Sequence, residues 1–335
     1  MTATAGEAVT EKVRDEKPKV PRKDRPGEGN ETRRAAFFIT PTLMLLAVVI
    51  LYPVVRAIYM SFRKDDILNP GADAGGAGLS NYSHWLLQQC ATATGATTDC
   101  APGTLGAQFW DSFNVTIFFT VVSVVIELVL GLWFAMIMNK AFKGRGLLRA
   151  AVLIPWAIPT AVTAKLFYFI FASKGIVNST LGTSILWTGE KWPARFAIII
   201  SDVWKTTPFM ALLILAGLQL ISAEVYEAAK VDGASAWQRF LHITLPLVKP
   251  ALMVAVLFRT LDVLRMYDLP AILTGGANGT STLSILVVND VRAGTYNSAA
   301  ALSTITFVLI FTVAFLFVKL LGTNVGAENP KKGGR

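Results

Sequence analysis

Six stretches of the chain are apolar over close to the roughly 20 residues that a helix needs to cross the hydrocarbon of a bilayer. They run from Ala35 to Phe62, Asn114 to Met138, Ala150 to Ala172, Arg195 to Leu220, Ala251 to Leu269 and Leu302 to Leu321. Inside a membrane no water is available to satisfy peptide N–H and C=O groups, so each stretch has to bond its own backbone, as an α-helix does. The sequence therefore predicts an all-α integral membrane protein with six transmembrane helices. Composition agrees, since 53% of the 335 residues are hydrophobic, 16% are charged and mean hydropathy is +0.51, too apolar for an ordinary soluble domain.

A net charge of +9 invites a nucleic-acid reading, but the basic residues fall between apolar runs and form no single stripe. They set orientation instead. With both ends inside, the inner segments hold 20 Lys and Arg, counting Lys319 at the inner end of the last span, whereas the outer loops hold 5, namely Arg63, Lys64, Lys174, Lys191 and Arg292. That bias predicts a multi-pass plasma-membrane protein with cytoplasmic N- and C-termini. Residues 1–34 are polar and proline-punctuated, with no apolar run of signal-peptide length, and read as a disordered cytoplasmic tail; residues 322–335 read as a second tail. The outer loop 63–111 carries Cys90 and Cys100, and an outer location permits a disulfide between them, with two unpaired thiols as the alternative. Between the last two spans, Ser281 to Ala293 has the alternation of a short amphipathic helix at the outer surface.

One segment, residues 222–250, looks soluble inside this membrane chain. Val225 to Lys230 has apolar positions at helical spacing, and Gly233 breaks the pattern where a sharp turn is permitted. Ser235 with Gln238 three residues later is a capping-box signature; Trp237, Phe240 and Leu241 form an apolar stripe, and Pro246 and Pro250 are expected to stop the run. The charge bias puts this helix-turn-helix in the cytoplasm.

Glu227-Ala228-Ala229, Gly233 three residues on, and Ile243-Thr244-Leu245-Pro246 after nine more resemble the signature of ATP-binding-cassette importer permeases. The resemblance implies a type I importer transmembrane domain over residues 35–321, with 222–250 as the loop whose short helices dock into a cleft of the ATPase. Glu227, Ala228, Ala229, Asp232, Gly233, Trp237, Phe240 and Pro246 would make that coupling contact.

The chain contains no Gly-rich loop followed by Lys and Ser or Thr, the pattern that cradles nucleotide phosphates, so a separate ATPase subunit with its ATP and Mg is expected, and no cofactor on this chain. His84 and His242 are the only histidines and lie far apart in the sequence, which argues against a zinc site or a Ser-His-Asp arrangement. A non-catalytic subunit is expected. Charges within spans are costly in hydrocarbon and tend to face a partner helix or a wet cavity. Arg259, Asp262, Arg265 and Asp268 recur every three residues, as a ladder along one helix face that either packs against a partner subunit or walls a polar cavity. Asp202, Lys205, Thr206 and Thr207 form a second polar cluster beside Trp204, which is either a sugar-stacking or an interfacial aromatic. Pro155 and Pro159 are expected to distort the third span, exposing carbonyls or simply kinking it. Glu127 and Lys165 read as isolated charges bonded to neighbouring helices.

Ile154 to Thr160, Trp204 to Phe209, and Asp268 to Gly276 further resemble motifs of maltose-type sugar permeases, over roughly Phe37 to Leu321, and within these are most similar to trehalose-importer permeases. That likeness implies sugar contacts at Trp156, Thr160, Asp202, Lys205, Thr206, Phe209, Asp262 and Arg265. Asp202 and Lys205 bring charge where the maltose-type member is uncharged. It also implies a second homologous permease as heterodimer partner, two copies of an ATPase and an extracytoplasmic sugar-binding lipoprotein. The remaining alternatives are another oligosaccharide or glycerol phosphate as cargo, an ion-coupled secondary transporter, and a scaffold that recruits an ATPase.

Overall fold

A computed structural model describes residues 28–66, 69, 74–92 and 96–325. The expected tails fall largely outside these, at 1–27 and 326–335. Helix α1, Glu28–Leu46, begins inside the stretch read as tail. A π-helical turn, Ala47–Leu51, leads into α2, Tyr52–Ser61. The residues up to Val54 form one compact unit and those from Val55 a second. In the first, Phe37, Phe38, Leu43, Val48 and Val49 are all exposed.

In the second unit, α3, Ser80–Leu86, is followed by an antiparallel hairpin of β1, Gln89–Ala91, and β2, Thr97–Asp99, with Gln89 opposite Asp99 and Cys90 opposite Thr98. Cys90 and Cys100 are joined in a disulfide. This hairpin is the departure from an all-α chain. Trp85 is fully buried in a small core with Phe109, Leu283 and Leu286, and its Nε1–H donates to the Ser298 carbonyl at 3.1 Å.

Helix α4, Phe109–Asn139, buries Phe109, Ser112, Thr116, Phe119, Ser123, Glu127, Gly131, Ala135 and Met138, a stripe at three- and four-residue steps that faces the bundle. The third span is two helices, α5, Arg145–Ala157, and α6, Thr160–Ile170, which meet at an angle of 89°. Ile158 and Pro159 are extended there, because Pro159 has no N–H to continue the ladder and disfavours helix at the residue before it. After α7, Ile176–Leu181, comes α8, Lys191–Leu218, the most buried span.

Two glycines let these helices close up. A Cβ on Gly131 would lie 2.8 Å from the Met210 side chain of α8, and one on Gly217 only 2.2 Å from Ala251. Small residues at such crossings let backbones approach where no hydrophobic force draws helices together in lipid.

Helices α9, Ala223–Val231, and α10, Ala236–Arg239, form the helical hairpin within 222–250. The expectation that Pro246 and Pro250 end this run is wrong. A π-helical turn, Phe240–Thr244, passes directly into α11, Leu245–Val263, with Pro246 in its first turn and Pro250 inside. Pro is tolerated in a first turn, where its missing donor has no helical partner, and the wider π turn supplies the local adjustment. The fifth crossing thus ends at Val263, well short of Leu269. Helices α12, Asp268–Leu273, α13, Leu283–Arg292, and α14, Tyr296–Val325, complete the chain. Among the described residues five helices are long and apolar enough to cross a membrane, and six if the bent α5–α6 pair counts as one span.

Candidate functional site

A cavity of about 320 Å³ opens where α6, α8 and α11 lose regularity or carry charge. Thr160 is the first residue of α6, just past the break; Asp202, Lys205 and Thr206 lie on one face of α8; Arg259 and Asp262 come from the end of α11. Arg265, Met266 and Tyr267, in the unwound link before α12, and Asp268 close the wall. The link's backbone is satisfied from elsewhere, since Thr282 Oγ1 donates to the Met266 carbonyl at 2.8 Å. Irregular backbone at membrane depth survives only where protein or a wet cavity meets its polar groups.

Behind this wall sits a guanidinium with almost no exposure. Arg259 and Asp202 are 2% and 3% exposed, and Glu127 on α4 is fully buried. Arg259 Nε donates to Glu127 Oε2, and Nη2 donates both to Glu127 Oε1, at 2.9 Å, and to Asp202 Oδ2. Nη1 donates to Asp262 Oδ2 at 2.5 Å. The Thr206 hydroxyl lies 2.6 Å from Glu127 Oε1 and 2.5 Å from the Asp202 carbonyl. One cation thus ties α4, α8 and α11 together, and the carboxylate of Asp262, 64% exposed, carries the network into the cavity. A buried charge of either sign is tolerable only with such full pairing.

The four-residue ladder read from spacing does not form. Arg259 and Asp262 pair as expected, but the helix stops at Val263, so Arg265 turns back to donate to the Leu261 carbonyl at 3.1 Å and Asp268 starts a new helix. The sequence signal for Glu127 was only that of an isolated buried charge. Its partner lies 132 residues away, beyond the reach of any spacing rule.

Six of the eight side chains singled out for sugar contact line the cavity: Thr160, Asp202, Lys205, Thr206, Asp262 and Arg265. Trp156 and Phe209 do not. Their rings stack on each other at 5.7 Å and 14°, with Trp156 largely exposed. Trp204 packs edge-on against Phe167 at 5.4 Å and lines a separate apolar cleft with Ile126, Leu130 and Phe134. Lys165 lies over the ring of Tyr168, 5.7 Å from its centre.

At the far end, the hairpin is built from local caps. Gly233 has φ +78°, a left-handed conformation, and Ser235 and Gln238 make both halves of the capping box, at 2.7 and 3.2 Å. Arg239 Nη1 donates to the Ala234 carbonyl at 2.6 Å, and Tyr226 pairs with Thr244 at 3.1 Å. Glu227, Ala228, Asp232, Trp237 and Pro246 are exposed, Ala229 and Phe240 half-buried, and Trp237 stacks on Phe240 at 5.4 Å. His84 touches both bridged sulfurs, but the disulfide uses them and His84 Nδ1 pairs with the Gln89 carbonyl at 2.9 Å.

Outside the spans, burial pushes the Asp290 carboxyl above its usual range, against the opposing pull of the Thr295 and Ser298 hydroxyls. Thr295 Oγ1 donates to it at 2.5 Å.

Multiple membrane crossings, a charged cavity among broken helices and an exposed, rigidly capped hairpin define a polytopic, non-catalytic transport subunit. The profile of the binding-protein-dependent transport system inner membrane component matches residues 127–326, and the chain belongs to that family of ATP-binding-cassette permeases. It is 42% identical over 297 residues to the trehalose/maltose transport system permease protein MalF of Thermococcus litoralis, covering 87% of this chain and 94% of that protein. It is 37% identical over 309 residues to the trehalose transport system permease protein SugA of Mycobacterium tuberculosis, covering 91% and 94%. A solved bacterial transporter that imports the acidic polysaccharide alginate contains a chain of the same fold, with TM-score 0.71 and 20% identity over 88% of this chain and 98% of that one.

Proposed function

We propose that this chain forms, with a second homologous permease, the pathway for a neutral disaccharide, trehalose foremost. The observation that carries the reading is the cavity wall, where Asp202 and Asp262 offer carboxylate acceptors, Thr160, Lys205 and Arg265 offer donors, and Thr206, whose proton is spent inside the protein, offers its hydroxyl oxygen. Sugar hydroxyls need both kinds of partner. Curated relatives whose names specify trehalose support the choice of cargo. Trp156 and Phe209 belong to the same pathway in this proposal, as a stacked aromatic pair open to a sugar face once the permeases separate.

In this proposal the hairpin within 222–250 docks on the ATPase through Glu227, Ala228, Ala229, Asp232, Gly233, Trp237, Phe240 and Pro246. ATP and Mg are held by two copies of that subunit, and this chain binds no cofactor. Closure of the ATPases draws the two hairpins together and opens the permease pair outward, to receive sugar from an extracytoplasmic lipoprotein. Both termini lie in the cytoplasm, as the Lys and Arg bias argues. The domain organisation in this proposal is a transmembrane domain at 35–321 between terminal segments 1–34 and 322–335, with α1 reaching back to Glu28 and α14 running on to Val325.

The test is the complete complex in lipid discs, with its ATPase rate measured as binding protein loaded with single disaccharides is added. Stimulation by trehalose above maltose, sucrose and glycerol phosphate is expected. Stimulation by another solute alone would reassign the cargo.

A further inference from the structure

We propose that Arg259 is a positioning residue that makes this cavity select uncharged sugars over acidic ones, with Glu127 holding it in that role from behind. The inference rests on the sugar reading above. A guanidinium has five N–H donors. Four of them are spent here inside the protein: Nε on Glu127, both on Nη2 on Glu127 and Asp202, and one on Nη1 on Asp262. The deepest cation of the cavity therefore has no paired edge left to grip a ligand carboxylate or sulfonate, the geometry that arginine usually supplies to anions.

What the ligand meets instead are the acceptors that Arg259 holds in place. Asp202, Asp262 and Asp268 balance Lys205, Arg259 and Arg265 around the wall, and Glu127, which never reaches it, tips the site towards negative charge. A neutral polyol donates its hydroxyls to these carboxylates. An acidic sugar arrives against them and finds Lys205, Arg265 and a single N–H of Arg259 Nη1 as cationic donors free of a carboxylate in the network. Glu127 is the lever in this arrangement, because removing its charge leaves the Arg259 guanidinium with two carboxylate partners instead of three and tips the site towards positive charge.

The experiment is equilibrium binding to the intact complex in lipid discs, using trehalose and the same disaccharide with one hexose oxidised to the uronic acid. Wild type is expected to prefer the neutral sugar. In Glu127→Gln the preference should narrow by about tenfold or more, the scale of one hydrogen bond to a charged group, with the uronate gaining while trehalose weakens. Arg259→Lys keeps the charge but loses the planar fork, and should not restore selectivity. Asp262→Asn, at an exposed side chain, should shift the preference in the same direction by less, and it decides the matter if Glu127→Gln fails to assemble. Equal weakening of both ligands, an unchanged ratio, or full rescue by lysine would overturn the role of Arg259. A wild-type complex that binds neither sugar would instead overturn the sugar reading and this inference together.

Discussion

The charged hub and the coupling hairpin solve opposite problems with few residues. At the hub, three helices converge on one buried cation, and apart from the Arg259–Asp262 pair its contacts span 57 and 132 residues of sequence. In the hairpin, each bond closes within 18 residues, and most of its surface is open. One region is fixed by long-range pairing that lipid makes obligatory; the other is fixed by caps that work equally well in water. A transporter needs both, since a lever has to keep its shape while exposed, and a cavity wall has to keep its charges while buried.

The contrast is sharpest at Glu127. Replacing it with Ala leaves Arg259 buried with half its partners, and should cost about 3–5 kcal/mol, seen as lost assembly or a large fall in thermal stability of the complex. An unchanged melting temperature would mean that the hub is not a structural necessity. Gly233→Val acts at the other pole. No side chain obstructs a Cβ there, so the cost is the left-handed backbone alone, about 1–2 kcal/mol. Binding-protein-stimulated ATPase activity and uptake should collapse while insertion and melting stay near wild type. Ser235→Ala removes one half of the capping box, at about 1 kcal/mol, and should reduce uptake partially. Full uptake in that variant would show that docking, and not the cap, holds the hairpin.

Arg265→Ala is the mildest change at the cavity. The side chain is exposed and bonds only a carbonyl of its own turn, so stability should move by less than about 0.5 kcal/mol while half-saturating sugar concentration rises. Lost assembly would return Arg265 to a packing role. The smallest effect belongs to Asp290. Its native carboxyl binds a proton more readily than the unfolded one, so stability falls as pH rises from the ordinary carboxylate range through the raised one. Asp290→Asn should flatten that slope in melting curves, with wild type and variant converging in acid. A wild-type slope retained in the variant would assign it to other groups.

The crossings were legible because apolar length is a property of the sequence alone. The capping box and Gly233 were legible because each acts within a few residues. The three-residue ladder was not, since it assumed a helix that continues past Val263, whereas the chain unwinds there and Met266 and Tyr267 join the cavity wall. Pro246 and Pro250 misled for a related reason: a π turn placed before them converts a stop signal into a helix start. The pairing of Trp156 with Phe209 joins the third and fourth spans, and no motif in either span announces it.

The lobe that holds the disulfide adds an order of events. The carboxylate of Asp65 accepts the N–H groups of Asn297 and Ser298 at 2.7 and 2.8 Å, capping the first turn of α14, and Trp85 donates to the Ser298 carbonyl. During synthesis, Asp65 and Trp85 emerge more than 200 residues before the partners that satisfy them. The disulfide can close early, because both its sulfurs belong to the lobe, but the lobe's carboxylate and indole wait for the last crossing. A nascent chain stalled before α14 would carry the closed disulfide with the Asp65 carboxylate and the Trp85 indole still without the partners that α14 brings.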